Sequence, residues 1–224
     1  MKAHVFSILF FTAHFRRHET RKFRSSYLLP PPTVIWGFLG AAFGVEREKL
    51  SEFVRKNGLA VGAELHCFKG LAFEKATLMP WDKERGCFAR TVEDFEFIVE
   101  PHFKVGVYGK DDFVDELRRR IERRDFEFDI YGGISDCFLK DIRNEDKGEF
   151  AEERRARGMI PVSNVAGISH AEGGGKVVEV LYFNTFFYQG FRVEFITRDR
   201  VKTVNGIAVW GVDDVERFRK GNLD

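Results

Sequence analysis

Residues 14–44 read His14-Phe15-Arg16-Arg17-His18-Glu19-Thr20-Arg21-Lys22-Phe23-Arg24-Ser25-Ser26-Tyr27-Leu28-Leu29-Pro30-Pro31-Pro32-Thr33-Val34-Ile35-Trp36-Gly37-Phe38-Leu39-Gly40-Ala41-Ala42-Phe43-Gly44. The stretch has three physical parts. In the first, Arg16, Arg17, Arg21, Lys22 and Arg24 face a single acid, Glu19, so a cationic loop stands in a chain of nearly balanced charge. The second ends in three prolines, which donate no backbone hydrogen bond and hold the chain extended. The third opens with Thr33, a hydroxyl placed to cap, and its apolar residues predict a short buried helix over Thr33–Phe43. Gly37, Gly40 and Gly44 share one face of that helix. Glycine inside a helix costs about 1 kcal/mol against alanine, so this spacing predicts a sheet or another backbone close to that face.

Outward from this stretch, Lys2–Ala13 is rich in Val, Phe and Ile and reads as a buried strand. Its lysine followed by apolar residues has the outline of a signal peptide, but the run is short and lacks small-residue cleavage chemistry. Leu50, Phe53 and Val54 have helical spacing, stopped by Asn57-Gly58. Leu59–Phe68 alternates as a strand. Leu71–Thr91 mixes Phe73, Met79 and Trp81 with Lys75, Lys83, Arg85 and Arg90, which fits either a projecting hairpin or an irregular connection. Val92–Tyr108 reads as a strand pair or one bent strand broken near Pro101. Asp111–Arg124 is an amphipathic helix with Phe113, Val114, Leu117 and Ile121 as its stripe. The arginines crowding its end read as solvated cations at a helix C-terminus. Phe126, Phe128 and Ile130 alternate as the next strand.

This order of strand, helix, strand, strand, helix, strand is the ferredoxin-like pattern of an α+β domain. Residues 1–142 form that domain on this reading. Residues 143–158, charged and poor in apolar side chains, read as a linker. Residues 159–224 read as a small, mostly antiparallel β unit with turns at Gly173-Gly174-Gly175 and Gln189-Gly190.

Composition narrows the function classes. The chain has 36 Lys and Arg against 35 Asp and Glu, a formal net charge of +1, which excludes a protein that coats nucleic acid over its whole surface but allows a confined basic patch. Cys67, Cys87 and Cys137 are widely spaced and have no ligand partners, which predicts reduced thiols, a cytoplasmic setting and no metal. No apolar run is long enough to span a membrane. Charged residues are abundant and Gln189 is the single glutamine, a composition that leans toward a thermophile. No phosphate-binding loop, dinucleotide fingerprint, carboxylate pair or Ser-His-Asp order stands out, so no cofactor and no small-molecule substrate is expected.

A first strand, a basic loop and then Ser26-Tyr27-Leu28-Leu29-Pro30-Pro31-Pro32-Thr33-Val34-Ile35-Trp36-Gly37-Phe38-Leu39-Gly40-Ala41-Ala42-Phe43-Gly44 resembles the N-terminal signature of the CRISPR-associated RAMP family numbered five among the Cas proteins. Tyr131-Gly132-Gly133-Ile134-Ser135-Asp136-Cys137 is similar to a later segment of that family. The resemblance implies a type I Cascade subunit that holds the 5′ handle of the guide RNA (crRNA) and docks the backbone and large subunits in antiviral defence.

By that resemblance Arg16, Arg17, Arg21, Lys22 and Arg24 would grip phosphates while Phe15, Phe23 or Tyr27 stacks on a base. Leu71–Thr91 would be a thumb-like hairpin with Trp81, Lys83 and Arg85 at its tip, although Trp81 reads equally as a packing aromatic. Gly132 and Gly133 would let backbone pass close to RNA, or make a turn. Some members of the family cleave repeat RNA without metal, and His14, His18, His66, His102, His170, Tyr27, Tyr108 and Lys104 are available here. Their neighbouring Lys-His pair is absent, so a noncatalytic binder is expected, with the repeat endoribonuclease as the alternative. A protein-interaction module on the same fold is the second alternative.

Overall fold

Val5, Phe6, Ile8 and Phe10 are buried, and Lys2–Phe10 forms strand β1 with a neighbour on each side, as its apolar content predicts. The computed structural model describes residues 1–20 and 23–221, Asp146 through its backbone alone. After β1 come helices α1 (Pro32–Ala42) and α2 (Leu50–Lys56), strand β2 (Ala60–Cys67), the paired strands β3 (Gly70–Leu78) and β4 (Thr91–Val99), and strand β5 (His102–Gly109). Helix α3 (Asp111–Arg123) leads to strands β6 (Leu139–Gly148), β7 (Phe150–Ala156), β8 (Val165–Tyr182) and β9 (Thr185–Val204), then helix α4 (Val212–Lys220). The fold is mixed α/β and dominated by its sheet, whose lateral order is β6-β1-β5-β2-β9-β7. The first four neighbours run antiparallel, and β2 meets β9 in parallel at Leu65 and Phe191.

One face of the sheet carries the main core, where Ile35 and Leu39 of α1, Val54 of α2 and Leu117 of α3 join Phe6, Ile8 and Val105. On the opposite face the far end of β9 folds over, so that Val204 and Val209 pack with Val5 and Ala60. Helix α3 buries the predicted stripe and stops at Arg124, whose left-handed φ of 54° ends the helical run. No helix among the described residues is long and apolar enough to cross a membrane.

Several expectations are corrected. Phe126–Ile130 is not a strand; the Phe128 amide donates to the Ala41 carbonyl, so this segment closes the C-terminal end of α1, and the fourth strand is β6. Residues 143–158 are not a linker, since 143–148 belong to β6 and 150–156 form β7. Their charged side chains are used as strand partners, with Ser7 bonding Glu145 and Arg157 bonding Glu64. Nor is 159–224 a separate unit, because Val180, Tyr182, Phe187, Val215 and Phe218 belong to the same core as Phe6. The Gly173–Gly175 run is a bulge inside β8, Gln189-Gly190 lies within β9, and the hairpin turns instead at Phe183-Asn184.

Thr33 does not cap α1. Pro32 occupies the first turn and the Thr33 hydroxyl bonds the Tyr182 hydroxyl at 2.9 Å. The glycine face of α1 meets no sheet; at Gly40 it meets the chain that follows the helix, the Leu50 side chain and the Val45 carbonyl. A Cβ on Gly40 would lie 2.2 Å from the Leu50 side chain, while one on Gly37 would meet open space.

His4 gives the fold a pH dependence. It is 1% exposed, its Nε2–H donates to Asn144 Oδ1 at 2.9 Å, and the Asn144 amide donates to the Arg118 carbonyl. Burial pushes the His4 imidazole from 6.5 down to about 4, against the Asn144 hydrogen bond. The unfolded chain therefore binds the proton first, and stability that is complete above pH 6.5 is lost as pH falls through about 4, by about 3 kcal/mol. Urea titrations at neutral and acid pH check this: His4→Gln should show a correspondingly smaller acid loss, and an identical loss would remove His4 as the cause.

Candidate nucleic-acid interface

The loop that leaves β1 is stitched to the β3–β4 hairpin. Thr12 and Ala13 pair antiparallel with Val99 and Ile98, and Phe23 and Arg24 pair in parallel with Asp94 and Phe95. Phe15 and Arg16 pair with Tyr27 and Ser26, which closes the loop on itself. His14, 1% exposed, sits 5.4 and 5.6 Å from the rings of Phe95 and Phe97 and donates its Nδ1–H to the Glu96 carbonyl at 2.8 Å. Burial lowers its pKa, so the ring is held neutral. The Ser26 amide donates to Glu96 Oε2 at 3.0 Å. Loop and hairpin are thus one β surface.

Gly132 and Gly133 brace its root. The His14 amide donates to the Gly132 carbonyl at 2.8 Å, and Gly133 has a φ of 102°. A Cβ there would stand 2.1 Å from the His14 carbonyl oxygen. The close approach these glycines allow is to the chain's own backbone.

The predicted site residues fall into distinct environments. Arg16 is exposed. Arg17 is tied to Glu19 at 2.6 Å, and Arg24 is tied to Glu93 with its guanidinium 4.9 Å over the Phe95 ring. These two are largely neutralised, a correction to the picture of a uniformly open cationic loop. Arg21 and Lys22 lie outside the described residues. Tyr27 is also corrected: it is 2% exposed, its hydroxyl donates to the Leu181 carbonyl at 2.6 Å, and it offers no ring face to a base. Phe15 is buried as well, which leaves Phe23 as the exposed aromatic of the three.

Strands β3 and β4 form a full antiparallel hairpin from Gly70↔Val99 to Leu78↔Thr91, so the irregular-connection reading is excluded. Trp81 is 55% exposed at its tip, edge-on to Phe88 at 5.2 Å, and is not a core aromatic. Lys83 and Arg85 are exposed beside it, Arg85 lying 3.5 Å from Asp82. Phe73, named from sequence only as part of a mixed segment, and Phe88, not named at all, were not among the predicted site residues. Both are largely exposed, and Phe73 lies 5.8 Å from Phe23, with which it shares one face of the small sheet. The arrangement offers exposed rings for stacking, exposed cations for phosphate, and an acid-neutralised stem between them.

Of the residues weighed for chemistry, His66, Lys104 and His170 line one pocket on the sheet with Cys67, Glu64 and Arg157, whereas His14 and Tyr27 are buried in the loop. His66 and His102 pack edge-on at 5.1 Å on the sheet, while Tyr108 stacks on Phe150 at 4.1 Å. No group of three metal-ligating side chains occurs among the described residues.

The family model of CRISPR-associated protein (Cas_Cas5) matches residues 7–137, more than half of the chain and both of the segments quoted above. The chain belongs to the Cas5 family. A comparison with curated proteins found no match. Among solved structures, this Cas5 chain is similar to a chain of a CRISPR RNA-guided surveillance complex, at 13% identity and a TM-score of 0.53, covering 97% of this chain and 98% of that one. A crystal structure of a Cas protein matches at 16% identity and a TM-score of 0.39, covering 62% and 63% of the two chains. A type III-B Cmr-beta structure bound to cognate target RNA matches at 8% identity and a TM-score of 0.47, covering 86% of each. The likeness to the surveillance-complex chain is one of fold, and it extends over the whole Cas5 chain, the last third included.

Proposed function

We propose that this Cas5 protein is a noncatalytic RNA-binding subunit of a type I CRISPR effector complex, capping the 5′ handle of the guide RNA and docking the backbone and large subunits. The observation that carries the reading is the joining of the loop and the β3–β4 hairpin into one surface with exposed Phe23, Phe73, Trp81 and Phe88. An isolated exposed aromatic is ordinary, but two exposed pairs along the joined loop and hairpin, Phe23 with Phe73 and Trp81 with Phe88, together with exposed Arg16, Lys83 and Arg85 on the same two segments, fit an unpaired strand. The lateral order fourth-first-third-second of β6, β1, β5 and β2 supports a ferredoxin-like core. Burial of His14 and Tyr27 withdraws two of the candidate acid–base groups from any bound RNA, which supports a binder without a chemical step.

Affinity for handle RNA measured against salt tests this. Replacing Arg16, Lys83 and Arg85 together by alanine should flatten the log–log slope by about 0.7 for each phosphate no longer gripped. An unchanged slope would favour a protein-interaction module, and cleavage of repeat RNA in chelator would establish the endoribonuclease instead.

A further inference from the structure

Helix α3 and the edge strand β6 enclose an open groove of about 720 Å3. Arg118, Arg119, Arg123 and Arg124 line it from the helix and Arg143 from the strand. Two carboxylates, Asp115 and Glu122, share the lining, and Asp115 is engaged by Lys2. Behind the groove, Asp141 serves both Arg124 and Arg143, and Glu116 serves both Arg119 and Arg120. Each of these acids is divided between two cations, so the groove keeps an excess of positive charge in a chain whose net charge is only +1.

Compensation of the helix dipole accounts for cations in the last turn alone. Arg118 and Arg119 lie before that turn, and Arg143 is on a strand. The cations lining the groove are all arginine, whose planar fork matches phosphate bidentately. Successive helical positions four apart advance by about 6 Å, so Arg119 and Arg123 form a rail along it. The apolar lining consists of Ile121 and Ile142, with no aromatic ring on which an unpaired base could stack. Charge without stacking suits a backbone whose bases are already paired.

We propose that the groove between α3 and β6 holds the sugar-phosphate backbone of a duplex nucleic acid, recognised by charge and not by base, at a site sharing no residue with the loop and hairpin. The test is binding of the purified chain to a short random-sequence DNA duplex across a salt series. Replacing Arg118, Arg119, Arg123 and Arg143 by alanine should weaken binding by at least about tenfold and flatten the log–log slope by about 0.9 per phosphate no longer neutralised. The same four positions changed to lysine should keep the slope. Unchanged affinity in the alanine variant would overturn the proposal, and so would a lysine variant as defective as the alanine one, which would mark a structural role. Loss of duplex binding on replacing Arg16, Lys83 and Arg85 would place the duplex on the hairpin surface. Tighter binding of polyglutamate than of duplex, lost in the alanine variant, would assign the groove to an acidic protein.

Discussion

Replacing Gln189 with leucine is expected to lower the free energy of unfolding by about 2–4 kcal/mol. Gln189 is the single glutamine of the chain and has no exposed surface. From β9 its Oε1 accepts the Leu28 amide at 2.8 Å and the Leu29 amide at 3.3 Å, while its Nε2 lies 3.9 Å from Met159 Sδ. Leucine fills nearly the same space, so the loss is not a cavity. It is the desolvation of two buried amides left without an acceptor, at about 1–3 kcal/mol each, part of which the chain recovers by relaxing. These amides begin the extended segment ahead of the three prolines, so the same change should also loosen the base of the loop and weaken RNA binding. Urea unfolding measures the first effect, and a loss below about 1 kcal/mol would mean that the Leu28 and Leu29 amides find other partners.

Replacing Phe23 and Phe73 together by alanine is expected to weaken binding of handle RNA by about one to two orders of magnitude while leaving the melting temperature almost unchanged. Each ring is substantially exposed, Phe23 at 41% and Phe73 at 63%, so little buried area is lost. What disappears is a pair of rings 5.8 Å apart on one face of the hairpin sheet, and base stacking contributes about 1–3 kcal/mol per base. A fall in melting temperature with unchanged affinity would show instead that the pair only holds the loop on the hairpin.

Much of the frame was legible because its periodicities are strong. The Phe113, Val114, Leu117 and Ile121 stripe defines α3, and the apolar content of Lys2–Phe10 defines β1. Strands β6 and β7 were not legible, since polar side chains in and just beyond them are satisfied by residues distant in sequence, as Glu145 of β6 is by Ser7 and Arg157, just past β7, by Glu64. Helix α4 did carry a signal, Val212, Val215 and Phe218 at spacings of three, which the run of strands before it obscured.

At the interface, sequence located the loop and the hairpin but not their union. The neutralisation of Arg24 by Glu93 spans 69 positions, and no local pattern announces it. Which aromatics face solvent depends on the register of Phe23 against Asp94, and that register set Phe23 outward while Phe15 and Tyr27 turned into the core. The Glu19 partner of Arg17, two residues away, and the Asp82 neighbour of Arg85, three residues away, were the interactions within reach of inspection.

The most direct test is ultraviolet cross-linking of the purified chain to RNA carrying the 5′ handle, with the attached peptides read by mass spectrometry. The account predicts adducts on Phe23 and Phe73 and on Trp81 or Phe88 at the hairpin tip. Adducts confined to other parts of the sheet, with these four rings unmodified, would contradict it.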